Sequence, residues 1–116
     1  MKAIIYHNNR CAKSREAIIY LKNLNFELEI IEYLNSPLSY SQLDNLIQLL
    51  QVSPIDIIRK NESDWKLNFA GNELQDEELI YAILEYPKLM QRPIVIIGDE
   101  GIVARPVSLI ENLLKD

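Results

Sequence analysis

Cysteine is nearly absent from this chain of 116 residues, which contains only Cys11. A lone cysteine cannot form an internal disulfide, so we expect the protein to work in a reducing compartment, namely the cytoplasm. The scarcity also excludes a Cys-x-x-Cys redox motif, and an oxidised Cys11 would need an external thiol to be reduced again. Histidine is equally rare, and Cys11 with His7 makes no familiar zinc or iron ligand set, so we expect no metal site.

Long apolar segments, excess positive charge and glycine-rich loops are missing too. No apolar run approaches the roughly 20 residues that cross a bilayer, and no secretory leader is recognisable, so we expect no membrane partner. Twelve basic against seventeen acidic residues give a net charge of -5, which disfavours nucleic acid as a partner. Gly98 and Gly101 have the composition of a hairpin turn and form no phosphate-binding fingerprint.

What the chain does contain is a cysteine where a strand passes into a helix. The first turn of a helix has unpaired N–H groups and partial positive charge, which favour a thiolate. Arg10, Lys13 and Arg15 add positive charge to the same turn. Free cysteines are often simply buried apolar residues, but these polar neighbours suit a core position poorly. Two interpretations therefore stay open: a reactive thiolate, or a cysteine that only packs.

Arginine is scarce but unevenly placed. Only five arginines occur, and besides Arg10 and Arg15 they are Arg59, Arg92 and Arg105, each at a predicted end of an element. Guanidinium groups bind oxyanions through a planar fork, so these residues could form a small anion site near Cys11. Solvated surface arginines are the alternative.

Hydrophobic periodicity predicts a βαβ unit at the start of the chain. Residues 2–6 read as a buried strand, residues 12–25 as a helix and residues 26–33 as an alternating strand. A capping pair, Ser39 and Gln42, predicts a helix that reaches residue 50.

The rest of the sequence predicts a short helix over 54–60 and a helix over 76–86. Between them, residues 61–75 are predicted to have no fixed element, although Trp65, Leu67 and Phe69 are expected to anchor this segment to the body of the protein. A strand over 93–97, a turn over 98–101, a strand over 102–104 and a last helix from Pro106 follow.

The element order β-α-β, helices, β-β-α predicts an α/β protein with one mixed sheet. This is the layout of a thioredoxin-like fold with a helical insertion between the halves, at about residues 38–90. We expect the whole chain, 1–116, to form a single domain.

The motifs of the chain resemble a known family in order and spacing. They are Tyr6-His7-Asn8 followed by Cys11 and Ser14-Arg15, then Arg59-Lys60-Asn61-Glu62, Pro87-Lys88-Leu89-Met90, Arg92-Pro93-Ile94-Val95 and Arg105-Pro106. Together they resemble the glutaredoxin-dependent arsenate reductase family, including its short members, over essentially the whole chain. The Arg-Pro-Ile motif is shared with the related Spx-type regulators.

This resemblance implies an activity and a set of site residues. Cys11 would attack arsenate, which Arg59, Arg92 and Arg105 would hold while they stabilise the thiolate. Glutathione, as co-substrate, would attack the arseno-cysteine adduct, and glutaredoxin would complete reduction to arsenite; no bound cofactor is implied. The residues that would support the loop and tune Cys11 are His7, Asn8, Ser14 and Arg15.

The resemblance also implies details of the backbone. A cis peptide is implied before Pro93. The family usually has proline directly after the loop asparagine, where this chain has Asn9. Since proline fixes φ, we expect Asn9 to leave Cys11 less rigidly placed.

Two other classes of function remain open at the level of sequence. The chain could be a regulatory binding module like the Spx-type proteins, which contact RNA polymerase. It could also be a monothiol thiol-disulfide oxidoreductase. Arsenate itself comes from the resemblance, because guanidinium groups also bind phosphate and sulfate.

Overall fold

Four strands form one mixed sheet in the order β2-β1-β3-β4 within residues 1–114, which the computed structural model describes. The strands are β1 (Lys2–Tyr6), β2 (Glu27–Ile31), β3 (Ile94–Ile97) and β4 (Glu100–Val103). Strand β1 pairs in parallel with β2 and antiparallel with β3, and β3 pairs antiparallel with β4. The two central strands, β1 and β3, correspond to the strands predicted over residues 2–6 and 93–97, whereas the predicted alternating strand is β2, at one edge of the sheet.

Helix α1 (Ala12–Asn23) connects the parallel pair. It ends two residues earlier than predicted because Asn25 has a left-handed φ of 65°, which a helix cannot continue through. Strand β2 is also shorter than the predicted 26–33, since the carbonyl of Glu32 accepts the N–H groups of Asn35 and Ser36 in a turn. The core of this part consists of Ala3, Ile5, Ala17, Leu21, Phe26, Val95, Ile97, Ala104 and Ile110.

The C-terminal hairpin is tighter than predicted. Ile97 pairs with Glu100, so the turn is two residues long and β4 begins before the expected residue 102. Gly98 has a φ of 65°, a conformation that glycine adopts without steric cost. The last predicted helix is a 3-10 helix, Val107–Leu113, which buries Ile110 in the core.

The chain divides into two compact units, one of Met1–Ser36 and the segment from Arg92 onward, the other of Pro37–Gln91. The second unit begins with helix α2 (Tyr40–Leu50), whose predicted capping box is confirmed. The Ser39 hydroxyl accepts the Gln42 N–H at 3.1 Å, and the Gln42 side chain accepts the Ser39 N–H at 2.9 Å. The predicted short helix is a 3-10 turn, Pro54–Ile57.

Residues 61–75 were predicted to have no fixed element, and this is wrong. They contain helix α3 (Ser63–Asn68), which buries Trp65 to 8% exposure. The Trp65 and Phe69 ring centroids are 5.6 Å apart. Leu67 is 81% exposed and anchors nothing, because its position points it away from the face that carries Trp65.

Helix α4 (Asp76–Glu85) starts where predicted and buries Leu79, Ile80 and Ile83. It ends before Pro87, which opens a 3-10 turn, Pro87–Leu89. Across residues 1–114, every helix is too short or too polar to span a membrane.

The predicted α/β architecture with a mixed sheet and a thioredoxin-like fold is confirmed. The second unit, Pro37–Gln91, nearly coincides with the expected insertion at about 38–90. A single domain over 1–116 stays a prediction.

Candidate active site

Cys11 is the N-cap residue of helix α1, at the carboxyl end of strand β1. Its backbone is extended (φ −94°, ψ 119°), and its carbonyl accepts the first helical hydrogen bond, from the Arg15 N–H at 3.1 Å. The preceding loop is a β-turn in which the Cys11 N–H donates to the Asn8 carbonyl at 3.0 Å. The Asn8 side chain braces this turn by accepting the Arg10 N–H at 3.0 Å. The cysteine is therefore held by bonds on both sides of its Cα.

Four influences act on the pKa of the Cys11 thiol. Partial burial is the largest and raises the pKa, but the Ser14 N–H, the Arg92 guanidinium and the Lys13 N–H all lower it. The lowering effects win, so the pKa of the Cys11 thiol lies below its ordinary value. Ser14 and Lys13 act through their N–H groups in the first turn of α1, where such groups lack helical partners. The thiol is half-buried and so stays accessible to a small reactant.

The C-terminal hairpin brings cationic groups to this sulfur. Arg105 follows β4, and its Nη1 donates to the Cys11 Sγ at 3.6 Å and to the Arg92 carbonyl at 3.0 Å. Arg92 precedes β3, and its guanidinium also acts on the thiol by hydrogen bonding and charge. The cis peptide implied before Pro93 is present, and a second one precedes Pro106. Both arginines are half-buried.

A buried pair behind the loop joins β1 to α1. His7 is 4% exposed and Ser14 is fully buried. The His7 Nδ1 and Ser14 Oγ atoms are 2.6 Å apart, and the Asn8 N–H donates to the same Ser14 Oγ at 3.1 Å. These bonds fasten the start of the cysteine loop to the first turn of the helix.

Two further contacts hold the outer side of the loop. The Arg15 Nη1 donates to the Asn9 carbonyl at 2.7 Å. The Asn9 side-chain amide donates to the Glu32 carboxylate. Sequence analysis did not single out Glu32. Its position directly after β2 was the available signal, because the carboxyl ends of parallel neighbours meet at one edge of the sheet.

Arg59 belongs to the second unit. Its N–H donates to the Leu89 carbonyl at 2.7 Å, beside a bridge between Ile58 and Met90. Its Nε lies 3.8 Å from a Glu62 carboxylate oxygen, and both side chains are partly shielded from solvent. The part predicted for Arg59 in anion binding stays a prediction.

A cleft of about 440 Å³ also lies within the second unit. It is lined by Lys60, Trp65, Asp76 and neighbouring residues, and by none of the predicted site residues. Among residues 1–114, no three His, Cys, Asp or Glu side chains are grouped so that they could hold a metal ion.

The first unit thus brings together a candidate nucleophile and the groups that would stabilise its thiolate. Cys11, Arg92 and Arg105 meet at one point, with His7, Asn8, Ser14 and Arg15 ordering the loop around it. A thiolate stabilised by guanidinium groups can attack an electrophilic centre, and the same donors attract negatively charged oxygens.

The chain is similar to several known proteins. Residues 6–113 match the model of the ArsC family. The uncharacterized protein YfgD of Escherichia coli (strain K12) is 40% identical over 104 residues, or 88% of this chain and 87% of that protein. An arsenate reductase of Haemophilus influenzae is 34% identical over 116 residues, or 98% of this chain and 100% of that protein.

A solved structure agrees with these sequence matches. The arsenate reductase from Vibrio cholerae has a TM-score of 0.88 and 35% sequence identity, covering 96% of this chain and 97% of that one. Family model, sequence relatives and three-dimensional similarity agree over almost the whole length, and the chain therefore belongs to the ArsC family.

Proposed function

We propose that this protein is an arsenate reductase that uses Cys11 as its nucleophile and glutathione with glutaredoxin as its reductants. One observation carries the proposal: the Arg105 Nη1 lies 3.6 Å from the sulfur of a cysteine whose pKa is lowered. The names of several relatives support arsenate as the substrate, among them the Haemophilus influenzae and Vibrio cholerae proteins. Glutathione is abundant in the cytoplasm, which is the compartment we propose.

The first step is the attack of the Cys11 thiolate on arsenic. A sulfur–arsenic bond forms, one arsenic–oxygen bond breaks, and the departing hydroxide takes up a proton to leave as water. Arsenic stays pentavalent in this step. Arg92 and Arg105 would bind the remaining oxygens, whose negative charge their guanidinium groups stabilise through charge-assisted hydrogen bonds. Arg59 is proposed to bind these oxygens too, because the family resemblance implies it.

Electrons enter when thiols attack the adduct. A glutathione thiolate binds arsenic and displaces a second hydroxide, which leaves as water. The glutaredoxin thiolate then attacks the glutathione sulfur, so that a disulfide bond forms and the arsenic–sulfur electron pair stays on arsenic, now trivalent. Water cleaves the remaining Cys11–arsenic bond, which releases arsenite and regenerates the thiolate. A second glutathione reduces glutaredoxin, giving glutathione disulfide.

External thiols are necessary to this scheme because of the composition of the chain. Cys11 is the single cysteine, so no second sulfur of this chain can displace arsenic by forming a disulfide. The supporting residues His7, Asn8, Ser14 and Arg15 would act by holding the loop, not by touching arsenic.

The experiment is a coupled assay with glutathione, glutaredoxin, glutathione reductase and NADPH. We expect arsenate-dependent NADPH consumption that disappears in Cys11→Ser. Arsenate should also slow the alkylation of Cys11 by iodoacetamide in the absence of any reductant, since the bound oxyanion blocks the sulfur.

Three results would overturn the proposal. The first is no arsenate-dependent consumption across a broad panel of glutaredoxins that serve a control arsenate reductase. The second is reduction of a small mixed disulfide at full rate without arsenate, which would indicate a monothiol oxidoreductase. The third is retention of RNA polymerase subunits on immobilised protein, unchanged in Cys11→Ser, which would indicate a regulatory module.

A further inference from the structure

The outer side of the Cys11 loop is tied to strand β2 through a single carboxylate. The Asn9 amide donates to Glu32, and the Asn9 carbonyl accepts the Arg15 Nη1 at 2.7 Å. We propose that Glu32 is a positioning residue, which holds Asn9 and thereby keeps the Cys11 sulfur aligned with its stabilising groups. The effect on turnover rests on the proposed function, but the effect on the thiol does not.

The turn geometry explains why Asn9 needs such a tie. The hydrogen bond from the Cys11 N–H to the Asn8 carbonyl makes Asn9 the second residue of the turn and Arg10 the third. Within residues 1–114, the Asn9 backbone N–H donates no hydrogen bond to another backbone group. Asn9 is therefore held in the turn by the bonds of its side chain and of its carbonyl. Both of these bonds lie on the solvent side of the loop, where Asn9 and Arg15 are exposed and Glu32 is half-buried.

Glu32 is a firm attachment point because its own backbone is fixed. It directly follows Ile31, the last residue of β2, whose carbonyl accepts the His7 N–H at 2.9 Å. The Glu32 carbonyl accepts the N–H groups of Asn35 and Ser36, each at 2.9 Å. The carboxylate therefore connects the loop after β1 to the turn after β2.

Loss of the bond between Asn9 and Glu32 should change the environment, and therefore the pKa, of the Cys11 thiol. The Cys11 thiolate depends on the N–H groups of the first turn of α1, whose effect falls off within that turn, and on guanidinium groups that must lie close to the sulfur. A loop that leaves this position part of the time exposes the thiol to an environment where its pKa is ordinary. The carboxylate itself, being negative, cannot favour the thiolate by charge, so any benefit of Glu32 must come through position.

The test uses Glu32→Ala, which removes the tie, and Glu32→Gln, whose amide oxygen can still accept the Asn9 bond. Glu27→Ala is the matched control, because it removes an exposed carboxylate from β2, the strand that Glu32 follows. Asn9→Pro provides a second route to the same geometry, since proline is preorganised for the second position of a turn and lacks only an N–H that is not used. Each variant is checked for folding by circular dichroism.

The readout is the rate of Cys11 alkylation by iodoacetamide as a function of pH. In Glu32→Ala we expect alkylation at pH 7 to slow by about 2- to 10-fold, the range of one net hydrogen bond. The midpoint of its pH profile should move upward. Glu32→Gln and Glu27→Ala should stay within about 2-fold of wild type, a change too small to represent a lost hydrogen bond.

The double variant decides whether Glu32 acts through Asn9. In the Asn9→Pro background, Glu32→Ala should have no further effect, because the turn no longer needs its carboxylate. An unshifted pH profile in Glu32→Ala, or an equal loss with and without Asn9→Pro, would overturn the proposal. Alkylation needs no arsenate, so a failure of the arsenate reductase assignment is recognised separately, as absent turnover in the wild type.

Discussion

Replacement of Ser14 by alanine should destabilise the protein far more than the loss of one hydroxyl from a surface would. Ser14 is fully buried, and its Oγ serves two partners, the His7 Nδ1 at 2.6 Å and the Asn8 N–H at 3.1 Å. Alanine leaves both partners in place without an acceptor or donor. A buried polar group that loses its partner costs about 1–3 kcal/mol, and Asn8 is only half-buried. We therefore expect a loss of about 2–4 kcal/mol in the free energy of unfolding.

Urea denaturation followed by circular dichroism measures this loss. Ser41→Ala is the control, because Ser41 lies exposed on helix α2 and its replacement should change stability by no more than about 0.5 kcal/mol. A His7→Leu variant combined with Ser14→Ala tests the cause, since removal of both partners should cost less than the sum of the single changes. If Ser14→Ala matches Ser41→Ala, the buried pair does not hold the loop and the reasoning fails.

Three other changes should have measurable effects. Because the pKa of Cys11 is lowered on folding, the stability it contributes is fully present above the unfolded-state pKa of about 8.5 and is lost as pH falls through the folded-state pKa. The free energy of unfolding of the wild type, relative to that of Cys11→Ser, should thus increase as pH rises from the folded-state to the unfolded-state pKa of the thiol. A difference between the two proteins that does not change with pH in urea denaturation would contradict this. Arg105→Ala should lower the rate of arsenate reduction by about 10- to 100-fold, the equivalent of a charge-assisted hydrogen bond, with Arg105→Lys intermediate; an unchanged rate in the coupled assay removes Arg105 from the mechanism. Trp65→Ala should cost about 3–5 kcal/mol in thermal or urea unfolding, because the ring is 8% exposed and packs on Phe69; a loss below about 1 kcal/mol would show that the site collapses without it.

Local signals predicted the fold wherever they were strong and agreed with tertiary packing. The β-branched run of β3, the capping box of α2 and the acidic first turn of α4 each marked an element that the structure contains. Helix α3 was missed because its six residues carry too few apolar positions for a periodic signal. The spacing of Trp65 and Phe69, four residues apart, was the clue that a short helix leaves.

The sequence could not distinguish between backbone hydrogen-bonding patterns that differ only in geometry. The segments 54–57 and 107–113 were predicted as helices, but they are 3-10 helices, and apolar periodicity over one or two turns does not separate the two types. The hairpin turn was placed too broadly because Glu100 and Gly101 look like turn residues, although their backbones pair with β3.

The candidate site was likewise predictable from the sequence only in part. The sequence could single out Cys11 because its place at a helix start, which the structure contains, follows from local chain geometry. The sequence allowed Arg105, 94 positions away, to lie near Cys11 because it stands at a predicted end of an element, but the sharing of its Nη1 between the sulfur and the Arg92 carbonyl needed coordinates. Glu32 was missed because the one available signal, its position directly after β2, does not by itself distinguish a carboxylate that binds a loop from one that is solvated.

The solitary sulfhydryl of this chain makes chemical events at the N-cap of α1 countable on the intact protein. Any thiol-specific reagent reacts with this one residue, so whole-protein mass spectrometry can follow arsenic, glutathione or a mixed disulfide at its sulfur without digestion. Each adduct adds a different mass, and a rapid-quench time course would then reveal the order in which the reactants arrive and depart.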